Sequence, residues 1–298
     1  MKSKVYFTRE ITPEKVVEMY QLLEKELPGK VAIKLHSGEK GNQNFLRPEF
    51  WRPIIEKVGG TVVECNTAYG DYYKNGVRDT TESHFKLIEY HGWSKYYDVD
   101  LMDAEGPDVE LPVKGGTVLK SNLVGKNMQN YDSMLVLAHF KGHPMGGYGG
   151  ALKQLSIGCA SSAGKARIHS GGKSDDRFAA WEVHASKVEF PEAMADAAST
   201  VVDFFKGNMA FVNVMKNLSV DCDCCDVAED PCMKDIGILV SLDPVAIDRA
   251  CMDLIYASED PGRDHFLERV QSRNGEHTME AAAALGYGSL EYELIEVK

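Results

Sequence analysis

Residues Met134-Leu135-Val136-Leu137-Ala138 form an uninterrupted apolar run, and this run decides the predicted fold. A run without polar alternation is typical of a strand buried on both faces, as in a parallel sheet that helices cover. Comparable runs occur at Val31–Leu35, Ala210–Val214 and Ile236–Val240. The sequence therefore predicts an α/β fold, with a largely parallel sheet and helices on both of its faces.

Helical patterns separate these runs. Thr12-Pro13 predicts the start of a helix that extends to about Leu27, with Thr12 as its N-cap, and Asp243-Pro244 predicts another start. Alternation of strands and helices favours right-handed βαβ units. We expect a single domain over residues 1–298. The alternative is two lobes that meet around residues 140–175, in the glycine-rich segment Gly142–Gly172.

The composition is that of a globular protein, since 44% of the 298 residues are hydrophobic and 26% are charged. A formal net charge of -12 repels phosphate backbones, so we expect no nucleic-acid partner. No apolar run approaches the roughly 18 residues of a membrane span, and no apolar core follows the first basic residues. These features predict a cytoplasmic protein without membrane contact.

The most unusual motif is a cysteine cluster. Four of the seven cysteines lie within eleven residues, in the pattern C-x-C-C-x6-C. Thiolates are soft ligands that suit iron–sulfur clusters, zinc or copper(I), and a cubane cluster takes four protein sulfurs. We therefore predict a 4Fe-4S cluster; zinc, redox-active thiols and buried structural thiols are the alternatives. The candidate ligands are Cys222, Cys224 and Cys225, with Cys232 or Cys159 as the fourth.

The second unusual stretch is the glycine-rich segment, which begins where the run at 134–138 ends. In α/β sheets ligands bind beyond the carboxyl ends of strands, and residues 151–156 could form a helix whose N-terminus points at an anion. We predict an anion-binding site beside the metal. Its candidate catalytic residues are His139, His143 and Lys153; the candidate cofactor-binding residues are Gly149, Gly150, Lys165, Arg167 and His169, with Lys34 and His36 at the rim.

Several of these motifs resemble one family. They are Asp221-Cys222-Asp223-Cys224, the segment ending Lys153…Gly158-Cys159, Gly164-Lys165…His169, and the run from Lys234 to Asp248. Together they are similar to the domain-of-unknown-function family 362, over residues from about 30 to 257. The resemblance implies an iron–sulfur protein. Many members carry an appended ferredoxin module with a C-x2-C-x2-C repeat, and because this sequence contains no such repeat, a cluster here would use the cysteines above.

A more distant resemblance concerns the lactate racemase family. His143, Lys153 and His169 follow one another in the same order and at similar spacing. In that family a lysine after a Gly-Gly pair carries a nickel pincer nucleotide and a later histidine binds the nickel. The resemblance implies, as an alternative, a nickel or other metal-cofactor enzyme acting on a small hydroxy acid.

The predicted function is an iron–sulfur redox protein, an oxidoreductase or an electron carrier. Its expected partner is a redox protein or a small anionic molecule, and a homodimer is compatible with the sequence. The alternatives are the nickel-type enzyme and a non-catalytic zinc-binding protein.

Overall fold

The computed structural model describes residues 2–68, 76–179 and 182–298. The strands, numbered along the chain, are β1 (Ser3–Thr8), β2 (Val31–Lys34), β3 (Thr61–Glu64), β4 (Val99–Leu101), β5 (Val109–Pro112), β6 (Ser121–Val124), β7 (Ser133–His139), β8 (Lys141–His143), β9 (Gly147–Gly149), β10 (Met209–Met215), β11 (Gly237–Ser241) and β12 (Tyr292–Glu296). The helices are α1 (Pro13–Gln21), α2 (Pro48–Val58), α3 (Thr81–Tyr90), α4 (Ala151–Leu155), α5 (Ser162–His169), α6 (Glu189–Phe205), α7 (Pro244–Tyr256), α8 (Arg263–Ser272) and α9 (His277–Ala284).

Within the described ranges, eight strands form one sheet in the order β12-β1-β11-β10-β7-β2-β3-β4. Neighbouring strands pair in parallel except at β11, which is antiparallel to β1 and β10. The largely parallel sheet is as predicted. The exception arises because no helix crosses over between β10 and β11, so the chain re-enters the sheet at the end it left.

The central strand β7 divides the core into two layers. Met134 and Val136 pack in one apolar cluster together with residues of α6 and α7. Leu135 and Leu137, which alternate with them, pack in a second cluster with residues of α1 and α2. Because successive strand side chains point to opposite faces, both faces of the sheet are covered by helices, as the apolar run predicts.

Helix α1 is shorter than the sequence predicts. Its N-cap is as expected, since Thr12 Oγ1 accepts a hydrogen bond from the Lys15 amide. The helix nevertheless ends at Gln21, and Glu24 adopts a left-handed backbone with φ of 48°. A left-handed residue cannot continue an α-helix, so the apolar pattern through Leu27 belongs to a turn that follows it.

None of the helices in the described parts of the chain combines the length and the apolarity that crossing a bilayer requires. The parallel strands β2, β3, β7 and β10 all end at the same edge of the sheet. The segments that leave these strands begin at residues 35, 65, 140 and 216, and they build the site described next.

Candidate metal centre and adjoining cavity

The cysteines lie in the segment 216–236 between β10 and β11, called here the cysteine loop. Asn42 Nδ2 donates hydrogen bonds to the carbonyl oxygens of Cys222, at 3.2 Å, and Cys225, at 2.9 Å. Gln43 Nε2 and Asn44 Nδ2 donate to carbonyls further along the same loop. These three amide residues are absent from the sequence prediction, although an Asn-Gln-Asn run beyond a buried strand is a signal that could have identified them.

A buried charged triad anchors the middle of the cysteine loop. Asp223 accepts hydrogen bonds from His139 Nδ1 at 2.9 Å and from Lys141 Nζ at 2.8 Å. Burial acts to raise the pKa of Asp223, but the charges of His139 and Lys141 outweigh it and hold that pKa well below its ordinary value. His139 Nε2 faces the Lys216 carbonyl oxygen at 2.5 Å, so both ring nitrogens have partners. His139 therefore lies against the loop and outside the lining of the cavity.

Three ligand atoms converge beside this triad. His143 Nε2 lies 3.8 Å from Cys224 Sγ, and a ligand atom from each of His143, Cys222 and Cys224 lies within 4.8 Å of the other two. Among the described residues, no other set of three His, Cys, Asp or Glu side chains meets that spacing. Lys153 Nζ donates to Cys222 Sγ at 3.6 Å. Two thiols and one imidazole at this spacing form a possible metal site.

The remaining predicted sulfur ligands are arranged differently. Cys225 is buried in the same small cluster as Cys222 and Cys224. Cys232 Sγ donates to the Leu218 carbonyl at 3.3 Å, and Cys159 packs in the main core. Neither Cys232 nor Cys159 belongs to the group within 4.8 Å. Ligand atoms of a single metal ion must lie this close together. The thiolates of a cluster bind different iron atoms and therefore stand further apart.

His143 and His169 have opposite hydrogen-bond patterns. His143 Nδ1 accepts from the backbone amides of Met145 and Gly146, at 3.2 and 2.8 Å. A neutral imidazole then carries its proton on Nε2, the atom that faces Cys224. His169 Nδ1 instead faces the Lys165 carbonyl oxygen at 2.7 Å, so its proton is on Nδ1 and its Nε2 is the basic nitrogen. Burial lowers the pKa of His169 to about 4, which keeps it neutral.

A cavity adjoins the sulfur atoms. It brings together most of the predicted basic residues, including Lys153, Lys165 and His169 with Lys34 and His36 from the rim. The residues that line it are Lys34, His36, Glu64, Cys65, Thr67, Ala68, Arg78, His143, Pro144, Met145, Lys153, Gln154, Ile157, Gly158, Lys165, His169 and Cys224. Among the described residues of this lining, four lysine and arginine side chains stand against one glutamate, so the described wall is cationic within an acidic protein.

The glycine-rich segment folds into the β8–β9 hairpin and helices α4 and α5. The N-terminus of α4 is capped by a carboxylate of the protein itself. Its Ala151 and Leu152 amides donate to the buried Asp248 carboxylate, at 2.8 and 3.0 Å. A Cβ at Gly150 would lie 2.4 Å from Asp248 Oδ1, so the glycine permits this close approach. An anion from the protein thus fills this position. The local sequence could not reveal it, because Asp248 lies 97 residues from Ala151 along the chain.

Three predicted anion partners lie outside the lining of the cavity. Gly149 pairs with Lys141 in the β8–β9 hairpin, and Gly150 packs against Asp248. Arg167 forms ion pairs with Asp175 at 2.7 Å and Glu110 at 2.9 Å. Because Arg167 lies two residues from Lys165 on α5, the helix turns it away from the cavity.

Two solved structures align with part of this chain. The lactate racemase apoprotein from Thermoanaerobacterium thermosaccharolyticum aligns with a TM-score of 0.41 and 12% identity, over 70% of this chain and 50% of that one. A protein from Thermotoga maritima aligns with a TM-score of 0.42 and 12% identity, over 92% of this chain and 59% of that one. The chain thus spans between 50% and 59% of the length of these two structures.

No curated protein matches the sequence. A family model, the domain of unknown function DUF362, matches residues 31–253. This range contains the cysteine loop and all the residues that line the cavity. Since the match covers far more than half of the chain and confirms the resemblance seen in the motifs, this protein belongs to the DUF362 family.

Proposed function

We propose that this protein is an iron–sulfur redox protein that acts on a small anionic molecule bound in the cavity. The observation that carries the proposal is the burial of three thiols, those of Cys222, Cys224 and Cys225, in one cluster beside a cationic cavity that Cys224 lines. Thiolates suit iron–sulfur clusters, and buried lysines favour an anionic ligand.

The contacts of the sulfur atoms support a cluster. Lys153 donates to Cys222 Sγ, and the protonated Nε2 of His143 faces Cys224 Sγ. Hydrogen bonds to the sulfurs are one of the means by which proteins tune iron–sulfur potentials. Cys225 lies in the same buried cluster and supplies a third thiol, while Cys232 and Cys159 stay candidates for the fourth.

The residues of the chain have distinct roles in this proposal. Lys153 and Lys165 attract and orient the anionic ligand, and the burial of Lys165 keeps water from competing with it. His169 lines the cavity as a neutral imidazole, held by the contact of its Nδ1 with the Lys165 carbonyl, and helps to orient the ligand. An iron–sulfur cluster, when bound, supplies one-electron redox chemistry.

The direct test is anaerobic purification followed by analysis of iron, acid-labile sulfide, zinc and nickel. The expected result is iron and sulfide in about equal amounts, with broad absorption near about 400 nm that dithionite bleaches. A colourless protein that contains only zinc would contradict the redox function and support the non-catalytic zinc protein.

A second candidate is a metal-dependent enzyme with a single ion held by Cys222, Cys224 and His143, in which metal binding displaces the Nε2 proton of His143. The 4.8 Å grouping of these three ligand atoms favours it, because catalytic sites commonly leave one coordination position open for substrate. Nickel bound without sulfide would support this candidate and the alternative of a lactate-racemase-type enzyme.

The His143→Gln variant separates the two candidates. If His143 only donates to the Cys224 thiolate, the variant keeps its metal and changes its absorption spectrum or its potential. If His143 is a ligand, the variant loses most of its metal. His265→Gln is the matched control, because the His265 side chain is 53% exposed and contacts Glu229 at the surface.

A further inference from the structure

We propose that Lys165 and Thr67 form an oxyanion site, called here the lysine wall, which holds the carboxylate or phosphate group of the cavity's ligand. The site stands on its own contacts. Only the orientation of the ligand, with its other end towards Cys224 and His143, rests on the proposed function. The two sources of the oxyanion share the same chemistry, and the experiment below distinguishes them.

Among the described residues, Lys165 is a buried cation that has no carboxylate oxygen within ion-pair distance. Its side chain is 6% exposed and lines the cavity. Its Nζ donates to the Ala160 carbonyl at 2.7 Å, and among the described residues no carboxylate oxygen lies within 4.0 Å of it. An ammonium group has three protons to donate, and burying its charge without a counter-ion is costly. A bound anion would remove this cost. The lowering of its pKa by burial is consistent with this deficit.

Thr67 supplies an independent second observation. Thr67 is 3% exposed and lines the same cavity, and among the described residues its Oγ1 has no hydrogen-bond partner. Its carbonyl accepts from Ser162 Oγ at 2.8 Å, which fixes Thr67 to the first turn of the helix that carries Lys165. Buried hydroxyls are normally satisfied, so this unpartnered group points to a ligand that accepts a hydrogen bond from it.

The other cations that line the cavity have protein partners of a different kind. Lys34 Nζ lies 3.6 Å from the Glu64 carboxylate, and Arg78 Nε lies 3.0 Å from the Glu39 carboxylate. Lys153 Nζ faces the Cys222 sulfur. Within the described chain, Lys165 is thus the lining cation whose hydrogen-bond and ion-pair partners include no carboxylate and no sulfur atom. This difference assigns the oxyanion to Lys165.

The test is calorimetric titration of the full-length, metal-analysed protein with two probes, inorganic phosphate and malonate. We expect one of them to bind saturably, and the one that binds identifies the source of the oxyanion. Lys165→Met should weaken that binding by about tenfold or more, because a charge-assisted hydrogen bond is lost. Thr67→Val should weaken it about fivefold, the effect of one neutral hydrogen bond. The matched control is Lys173→Met, whose exposed side chain pairs with Glu189.

Unchanged affinity in Lys165→Met, or saturable binding of neither probe, would overturn the site. If Lys165→Met fails to fold, Thr67→Val decides the question, because valine keeps the shape and removes the hydroxyl. The metal content separates this proposal from the function proposed above. A wild-type protein that binds phosphate or malonate through Lys165 but contains no iron retains the oxyanion site and contradicts the redox function.

Discussion

The two parts of the cavity wall have opposite charge requirements. In the cysteine wall, formed by Cys224, His143 and Lys153, proton donors surround sulfur atoms that ionise when they bind a metal. In the lysine wall an ammonium group and a hydroxyl have no anionic partner from the described chain. One wall therefore provides anions for a cation, and the other provides a cation for an anion.

The comparison shows that two neighbouring helices carry different functions, one towards metal binding and the other towards anion binding. Lys153 on α4 and Lys165 on α5 are both cavity-lining lysines of the glycine-rich segment, and local sequence does not distinguish them. Their partners do, since one contacts a sulfur atom and the other a backbone carbonyl. If the comparison is right, substitutions in one wall abolish the binding of its own ligand and leave the binding at the other wall intact.

The largest effect is expected from the cysteine wall. Replacement of both Cys222 and Cys224 by serine should remove nearly all bound metal, because hydroxyls are poor ligands for soft metals. Phosphate or malonate binding at Lys165 should persist. Metal analysis and titration check the two results. Cys251→Ala is the control, since Cys251 is buried in the main core, and wild-type iron in the double variant would refute the ligand assignment.

The next largest effect is expected at the charged triad behind the cysteine wall. Asp223→Asn leaves His139 and Lys141 buried without their anion, and removal of one partner from such a group costs about 3–5 kcal/mol of unfolding free energy. Urea denaturation measures the loss. Asp264→Asn, at a side chain that is 81% exposed, should change the stability by less than about 0.5 kcal/mol. Equal effects in the two variants would contradict a structural role for the triad.

A pH dependence of the unfolding free energy is expected from the buried side chain of His84. Burial lowers the pKa of His84 to about 3, so the folded protein keeps this side chain neutral while the unfolded chain protonates it below its ordinary pKa. Stability is therefore full above about pH 6.5 and falls as the pH decreases, by about 2 kcal/mol for this group at about pH 5. Urea denaturation at about pH 6.5 and at about pH 5 should show this loss in the wild type relative to His84→Asn. Parallel pH profiles would contradict it.

The smallest effect is expected from replacement of Asn42, which lies outside the cysteine loop and donates hydrogen bonds to it. Asn42→Ala removes two hydrogen bonds to the Cys222 and Cys225 carbonyls and should cost about 1–3 kcal/mol of unfolding free energy. Its metal affinity should also decrease, because the loop loses its fixed position. Thermal and urea unfolding with metal titration measure these changes. Gln21→Ala, at an exposed helix end, should change neither.

Strand and helix positions follow from the sequence where the signal is local. The run at 134–138 lies within β7, and α1 and α7 begin at the predicted Thr12-Pro13 and Asp243-Pro244. The antiparallel β11 could not be predicted, because its direction depends on which end of the sheet the cysteine loop returns to. The β8–β9 hairpin was also missed, since its glycines indicate a loop as readily as a strand.

The sequence by itself determined the α/β class, the family, and the two segments that carry the chemistry, because apolar periodicity and cysteine spacing are local properties. Only the tertiary structure decided how the predicted side chains are used. Asn42 meets a cysteine carbonyl 180 residues away, and Asp248 occupies the N-terminus of α4 from 97 residues away. Such contacts depend on strand order and register, which bring distant strand ends to one edge of the sheet and which no single segment encodes.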